Sequence, residues 1–468
     1  MLRIEGNDLA YNCAGMKRRS FVQAGLLGFG GLTMADLLRA RAAQGPTKSA
    51  NLPTSQPAND RAVILIWLDG GPSQLETYDP KPEAAPEYRG PFGVVPTNVP
   101  GIRLSETLPL QAKHMGKMVI IPSVHHDNGD HFAAAHWMLT GYFGSTAVNL
   151  PQMFPSVGSI ISKMHGPNNP KLPAYVGVPA AESVYLFPGY QGAAYLGGQY
   201  QPFDADLEHR YLGANAKTKI GTPKLFTDAG ARARLIKRSP MLTSFDTLRR
   251  QFDVTPALQN MDKYQQRATE FLLSDDVRKA FDLDAEDKKV AERYGDAPWC
   301  RYTLLARRLV EAGVTFVTVD MPHWDDHDNL KEAIAPKCAT MDRAVASLLQ
   351  DLQERSLLDR VLVVVMGEFG RTPKLNKGLP DLGRNIPGRD HWGNAVSVMM
   401  AGGGLKTGGV VGRTNERAEH PVDRPFKPAD ILATIYHQLG IDPSLELFDR
   451  IGRPIPILKE GAPIREIV

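Results

Sequence analysis

The sequence predicts an α/β protein with an open sheet whose central strands are buried on both faces. One observation is Val361–Val365, an uninterrupted apolar run that is long enough only for a buried strand. A second is the helical spacing of apolar residues over 341–358, directly before that run. The third is Glu368, which stands in a glycine-bounded loop at the strand's exit. Ligand-bearing loops lie at the carboxyl ends of strands in open α/β sheets.

Four further strands are predicted from short apolar runs along the chain. The run over residues 61–68 ends at Asp69 and a tight glycine turn, and the others cover residues 118–121, 314–319 and 395–400. Amphipathic spacing predicts a helix over 301–312 and mostly helical structure over 244–294, with a buried stripe formed by Phe245, Leu248 and Phe252. Weak periodicity and many Gly, Tyr and Pro residues predict that an irregular and helical insertion covers residues 170–295.

Length and composition favour one decorated α/β domain, over residues 61–468, rather than two or three separate domains. The chain has 468 residues, of which 43% are apolar, so it can bury a large core. A net charge of +3 gives little electrostatic support for binding nucleic acid. Cys300 and Cys338 lack metal-type spacing, and they either form a disulfide in an exported protein or remain buried thiols.

The N-terminal segment predicts export, to the periplasm or beyond. Lys17, Arg18 and Arg19 precede a weakly apolar stretch, and a small-x-small cleavage site follows at Ala40–Ala42, which resembles a twin-arginine signal peptide over residues 1–43. The partner implied is the twin-arginine export machinery. The apolar stretch is too short to span a bilayer, so no permanent membrane span is expected. The alternatives are a basic amphipathic helix of the mature fold and a true start at Met16. Residues 44–60 are interpreted as a flexible leader.

Oxygen and imidazole ligands are concentrated in four loops at or near predicted strand ends. Such residues suit zinc, manganese, magnesium or calcium, and one or two divalent ions could polarise a phosphoryl or sulfuryl oxygen. Any one loop could equally be a turn or a cap, since Asp and His are common there. The candidate metal ligands are Asp69, Asp325, His327, Glu368, Asp390 and His391.

Four motifs together resemble the exported bacterial family known as domain of unknown function 1501. They are Leu68–Ser73 followed by Asp79–Pro82, Trp324–His327, Gly367–Pro373 and Gly388–Gly393. The resemblance covers nearly the whole chain, and residues 430–441 resemble the closing helix of sulfatases. It implies membership of the alkaline phosphatase superfamily, and hence a doubly wound, mostly parallel sheet with helices on both faces.

The same resemblance implies roles for individual residues. Asp69 is then the first-strand metal ligand, and Asp325 and His327 are the acidic and imidazole ligands of one site. Glu368 takes the place of the Asp in the superfamily's Asp-His-Gly motif, and His391 that of the late His ligand. The sequence departs from this pattern at Phe369, where a His of the second metal site is expected, so that site loses one nitrogen ligand. The protein then either holds one metal or takes the missing ligand from elsewhere in the chain.

The second departure is His131, which stands where sulfatases carry a Cys or Ser eight residues before Leu-Thr-Gly. Because no hydroxyl or thiol lies between His125 and Leu139, the usual covalent ester is not available there. His131 is interpreted as a metal ligand, a general acid or base, or a phosphorylated nucleophile; a structural His is the alternative. His136 is expected on the buried side of a helix.

Arg371 is suited to bidentate contact with a phosphate or sulfate oxygen, or else to pairing with Asp390 or Glu368. These residues together predict an exported metal-dependent hydrolase that attacks sulfate or phosphate esters, of small molecules or glycans, with metal-activated water. The alternative is a relative with a degenerate site that binds a metal or ligand without turnover.

Overall fold

A central eight-stranded sheet organises the part of the chain that the computed structural model describes. The described residues are 60–144, 152–181, 191–223 except 206, 208–211 and 219, the single residues 226, 230 and 271, and 274–468. The predicted signal peptide, residues 44–59 of the predicted leader and the stripe of Phe245, Leu248 and Phe252 therefore lie outside the described residues. The strands are β1 (Ala62–Leu68), β2 (Val94–Pro96), β3 (Arg103–Ser105), β4 (Met118–Val124), β5 (Tyr175–Val178), β6 (Phe203–Asp204), β7 (Phe316–Met321), β8 (Val361–Met366), β9 (Gly370–Arg371), β10 (His391–Trp392), β11 (Val396–Gly402), β12 (Gly409–Val410), β13 (Arg413–Thr414), β14 (Pro421–Asp423), β15 (Glu446–Phe448) and β16 (Pro454–Pro456).

The sheet is mostly parallel, as predicted. Its spatial order is β12-β4-β11-β8-β1-β7-β5-β6. Only β11 runs against its neighbours, β4 and β8, and all other pairs in the sheet are parallel. The remaining strands form four two-stranded pairs. All five predicted strands are present, with bounds that differ by one to three residues from the apolar runs.

Strand β1 lies in the middle of the sheet and separates two hydrophobic cores. It pairs with β7 on one side and β8 on the other, and every one of its side chains is buried. Because successive side chains of a strand point to opposite faces, Ile64 and Ile66 enter one core and Val63 and Leu65 the other. A strand covered on both faces explains the unbroken apolar run in the sequence.

Helices cover both faces of the sheet, which confirms the doubly wound architecture. Residues of α5 to α8 fill one core, and residues of α3, α4 and α9 fill the other. The described helices are α1 (Pro86–Arg89), α2 (Pro109–Ala112), α3 (His131–Thr140), α4 (Val157–His165), α5 (Asp275–Phe281), α6 (Lys288–Tyr294), α7 (Pro298–Ala312), α8 (Leu330–Glu354) and α9 (Pro428–Gln438).

The segment expected to be an insertion contributes two strands to the central sheet. Within residues 170–295, β5 pairs with β7 and β6 pairs with β5 at one edge. Four residues, Tyr175–Val178, make β5, and a run of that length gives little periodicity to recognise. Helices α5 and α6 agree with the helical pattern predicted for the end of this segment.

Cys300 and Cys338 are both buried free thiols, so they remain buried thiols and do not form a disulfide.

Among the described residues, no helix is both long enough and apolar enough to cross a membrane.

Candidate functional site

Three neighbouring parallel strands bring their carboxyl ends together at one edge of the sheet. Asp69 follows β1, Asp325 follows β7 and Glu368 follows β8, so adjacent strands place these carboxylates in adjacent loops. Backbone hydrogen bonds join the first two loops, since Trp324 N donates to Asp69 O at 3.0 Å. The first and third are joined by Gly70 N, which donates to Glu368 Oε1 at 2.9 Å.

Gly70 allows the loops after β1 and β7 to approach each other closely. Its φ is +111°, in the region that favours glycine, and an added Cβ would lie 2.6 Å from the backbone N of Asp325. The glycine turn noted in the sequence therefore brings the loop that carries Asp325 against the end of β1.

His131 enters the site from helix α3, of which it is the first residue. The Asp130 side chain caps this helix by accepting a hydrogen bond from Ala133 N at 3.0 Å. His131 Nδ1 lies 2.7 Å from Glu368 Oε1, and Nε2 lies 3.3 Å from Asp325 Oδ2. The residue at the predicted nucleophile position thus bridges two of the candidate metal ligands.

His391 and His327 contact the same aspartate from other directions. His391 lies on β10, which pairs with β9, and its Nε2 is 2.9 Å from Asp325 Oδ1 while Nδ1 is 2.8 Å from Gly129 O. His327 Nε2 is also 2.9 Å from Asp325 Oδ1, and its Nδ1 is 2.8 Å from Asp390 Oδ1. Three imidazoles therefore surround one carboxylate.

Asp325 is the centre of the cluster, and its surroundings stabilise the charged form. Burial disfavours the charged carboxylate, but contacts with the three imidazoles and the charge of Arg371 outweigh it and hold the pKa of Asp325 well below its usual range. Burial likewise opposes a charged His131, but hydrogen bonds to Asp325 and Glu368 raise the pKa of His131 to about 10. The side chain of Asp325 is 22% exposed, so solvent reaches the cluster.

Arg371 is buried against the loops that hold the cluster. Its guanidinium donates to Asp325 Oδ1 at 2.8 Å and to the backbone oxygens of Gly71 and Trp324 at 2.8 and 3.1 Å. It also donates to the backbone oxygens of Gly70 and Arg389. Its carboxylate partner is Asp325 rather than Asp390 or Glu368. Contact of Arg371 with a substrate oxygen stays a prediction.

Phe369 forms an apolar wall beside two of the histidines. The side chain is buried, and its ring centroid lies 4.4 Å from that of His391 and 4.9 Å from that of His131. An aromatic ring supplies no ligand atom, so this side of the cluster excludes water instead of binding a cation.

Two residues that support the site, Glu76 and Arg389, were not predicted, and His126, which also supports it, had the same open roles as His131. Glu76 and Arg389 form a buried ion pair at 2.8 Å, and Arg389 immediately precedes Asp390 and His391. His126 Nε2 lies 2.7 Å from the backbone oxygen of Glu368 and holds that loop against the exit of β4. His126 lies in a segment that also carries His125, His131 and His136, and Arg389 lies in the Gly388–Gly393 motif, directly before the candidate ligands Asp390 and His391.

The donor set fits a divalent transition metal. Ligand atoms of His131, Asp325 and His391 lie within 4.8 Å of one another. Among the described residues, this is the group of three or more His, Cys, Asp or Glu side chains that is close enough to hold a metal ion. Imidazole nitrogens and a carboxylate suit zinc, manganese and related ions. Glu368 and His327 contact this group directly, and Asp390 contacts His327. Asp69, which is buried, is joined to the group through the backbone of Gly70. His136 is buried on α3, as predicted.

Comparisons with known proteins match nearly all of the described part of the chain. The family model described as "Protein of unknown function (DUF1501)" matches residues 60–468. No curated protein matches. Among solved structures, the phosphonate monoester hydrolase SpPMH from Silicibacter pomeroyi is 12% identical, with a TM-score of 0.39 and coverage of 86% of this chain and 76% of that one. The lipoteichoic acid synthase LtaP from Listeria monocytogenes is 11% identical, with a TM-score of 0.37 and coverage of 88% and 76%. The PsFucS1 sulfatase from Pseudoalteromonas sp. is 11% identical, with a TM-score of 0.35 and coverage of 81% and 68%.

Proposed function

The chain belongs to the family described as protein of unknown function DUF1501, and we propose that it is an exported, metal-dependent hydrolase of sulfate or phosphate esters. One observation carries the proposal: the Nε2 atoms of three histidines face the carboxylate of Asp325. They do so at the edge of the sheet where α/β proteins bind their ligands, and solvent reaches them.

His131, Asp325 and His391 would hold the metal, and His327, whose Nε2 lies 2.9 Å from Asp325 Oδ1, would complete the ligand set. Bound there, a divalent ion supplies Lewis acidity toward an ester oxygen and lowers the pKa of a coordinated water. Glu368 and Asp390 keep the imidazole rings in place, and Phe369 keeps one side of the cluster dry.

The proposed nucleophile is water. An imidazole occupies the position of the superfamily's nucleophile, and residues 126–138 contain no serine, threonine or cysteine. Both nitrogens of His131 face carboxylates, so neither is directed toward an ester. We therefore expect hydrolysis without a covalent sulfo- or phospho-enzyme. The ester can belong to a small molecule or to a glycan.

The experiment is a measurement of metal content followed by an ester panel. The exported protein is purified without chelator, its metals are measured by mass spectrometry, and aryl sulfates, phosphate monoesters and phosphate diesters are assayed with and without chelator. We expect bound metal and chelator-sensitive hydrolysis. Asp325→Asn should lose both, whereas Asp326→Asn should keep them because Asp326 pairs with Lys337, away from the cluster. Hydrolysis that persists in fully metal-free protein would contradict the proposal.

A second candidate is an exported protein that binds a metal or ligand without turnover. Arg371 favours it, because a fixed positive charge 2.8 Å from Asp325 Oδ1 competes with a cation for that oxygen. The missing hydroxyl nucleophile agrees with it as well. Bound metal in a protein that cleaves none of the esters would make this the better assignment.

A further inference from the structure

We infer that Glu368 and Asp390 are positioning residues of the proposed metal centre rather than ligands of its ion. Each would fix one imidazole so that its Nε2 faces the ion, and the ion would then be bound by His131, His327, His391 and Asp325. The inference rests on the proposed function, because it assigns the ligands of the same site.

His391 shows the arrangement most simply. Its Nδ1 lies 2.8 Å from the carbonyl oxygen of Gly129, and a carbonyl oxygen can only accept a hydrogen bond. Nδ1 therefore carries the hydrogen, and in the neutral ring the lone pair is on Nε2. That nitrogen is the one 2.9 Å from Asp325, so the ring offers its metal-binding atom to the cluster.

His131 is oriented in the same sense by Glu368. Glu368 Oε1 lies 2.7 Å from His131 Nδ1 and accepts a second hydrogen bond from Gly70 N at 2.9 Å. The carboxylate is fully buried, and His126 fixes the backbone of the same residue through its carbonyl oxygen. With these bonds Glu368 faces the outer nitrogen of His131, while Nε2 faces Asp325.

Asp390 orients the imidazole ring of His327 in the same way as Glu368 orients that of His131. Its Oδ1 lies 2.8 Å from His327 Nδ1 and 3.2 Å from the amide nitrogen of Asn376, which also donates to the backbone oxygen of His327. The backbone N of Asp390 donates to Thr372 Oγ1 at 2.9 Å. Asp390 is thus held from two sides, and Nε2 of His327 points to Asp325.

Three acceptors on the outer side, Glu368, Asp390 and the carbonyl oxygen of Gly129, therefore turn the Nε2 atom of each ring toward Asp325. Ring centroids of His131 and His391 lie 4.4 Å apart, and those of His327 and His391 lie 4.8 Å apart. Carboxylates and carbonyls that hold the outer nitrogen of metal-bound histidines are a regular feature of transition-metal sites. Three imidazoles and one carboxylate favour zinc or cobalt over magnesium or calcium, which prefer oxygen ligands.

X-ray absorption spectroscopy of the full-length protein loaded with Zn²⁺ tests the ligand set without any substitution. We expect about three imidazole scatterers and one carboxylate. One imidazole with mainly oxygen ligands would overturn the inference. Since no ester is involved, this result is independent of turnover. Failure of hydrolysis alone would overturn the proposed function and leave the ligand assignment intact.

Conservative variants test the two carboxylates directly. Glu368→Gln and Asp390→Asn keep an oxygen that can accept the Nδ1 hydrogen, so each should keep one equivalent of Zn²⁺ with an affinity about 10–100-fold lower. Their absorption spectra should keep the imidazole count, whereas the spectrum of His391→Ala should lose one imidazole. Asp328→Asn, in the same loop as Asp325, serves as the matched control. Folding is checked by circular dichroism, and a folded Glu368→Gln protein that binds no Zn²⁺ would overturn the assignment.

Discussion

Arg371 shows how a single residue of the site can contribute mainly to stability. Its guanidinium is buried and donates to four backbone oxygens and to Asp325. Replacing it with Met removes one donor from each of those oxygens and from the carboxylate. We expect Arg371→Met to lower the free energy of unfolding by about 3–5 kcal/mol, the usual cost of removing one partner of a buried pair. Urea denaturation measures this, with Arg384→Met as the control because Arg384 is exposed. Equal stability of the two variants would contradict the role in stability.

His131 is the residue at which catalysis and metal binding are tested together. If water attacks the ester, His131→Ala should weaken metal binding and reduce the rate by about 10²–10⁴, the range for losing a positioned catalytic group. Steady-state kinetics and metal titration measure the two effects, and mass spectrometry during turnover should find no adduct on the unmodified protein. An adduct trapped on His131 would reject the water mechanism, and a fully active His131→Ala protein would reject a role for the residue.

Residue types and motif spacing were enough to identify most members of the cluster, but not their contacts. Asp325, His327, Glu368 and Asp390 stand in loops after or near strands, and His391 begins the short strand β10. The longer of these strands can be predicted from apolar periodicity. Which carboxylate is central depends on the backbone geometry of the loops, and the approach at Gly70 sets that geometry through contacts distant in sequence. Arg371 is buried for the same reason, since its partners are backbone oxygens of these loops, which are distant from it in sequence.

At the scale of elements, helix α2 is joined to helix α8 by Asp342. Its carboxylate accepts hydrogen bonds from Leu110 N and Gln111 N at the start of α2, both at 2.8 Å. Burial raises the pKa of Asp342 to about 6, against the opposing effect of these N–H groups. In the unfolded chain the pKa of an Asp is about 4. The folded protein therefore binds this proton more tightly than the unfolded chain does.

The consequence is a specific dependence of stability on pH. Because the folded state holds more protons between about pH 4 and pH 6, the free energy of unfolding contributed by Asp342 falls as the pH rises through that window. The fall is about 3 kcal/mol, with no further change above it. Urea denaturation at pH 4.5 and pH 7 measures the change in the free energy of unfolding between the two pH values. This change should be less negative for Asp342→Asn than for the unmodified protein, whereas exposed Asp381→Asn should leave it as it is. Equal pH dependence in all three proteins would contradict the role of Asp342.

Elements with strong local signals were predictable, and elements defined by their partners were not. The apolar runs of β1 and β8 can only be buried strands, whereas β5 has four residues and becomes a strand by pairing with β7. The reversed direction of β11 was equally hidden. The direction of a strand in a sheet follows from the path of the connecting chain, and the apolar run that predicts a strand does not indicate that direction.

At the scale of the whole molecule, the remaining question is how the folded α/β protein would reach its proposed site of action. Arg18 and Arg19 are followed by a short apolar stretch and a small-x-small site, a pattern typical of export of already folded proteins. Exchanging both for Lys preserves charge but removes the paired guanidinium groups that the export machinery recognises. We expect the variant to fold in the cytoplasm and to fail to leave it, because these residues serve as an address and not as part of the core. Fractionation of cells that express each form measures this, with Lys17→Arg as the matched control that keeps both arginines. Export of the double-Lys variant at the normal level would reject the signal assignment, and loss of its folding would place these residues within the mature fold.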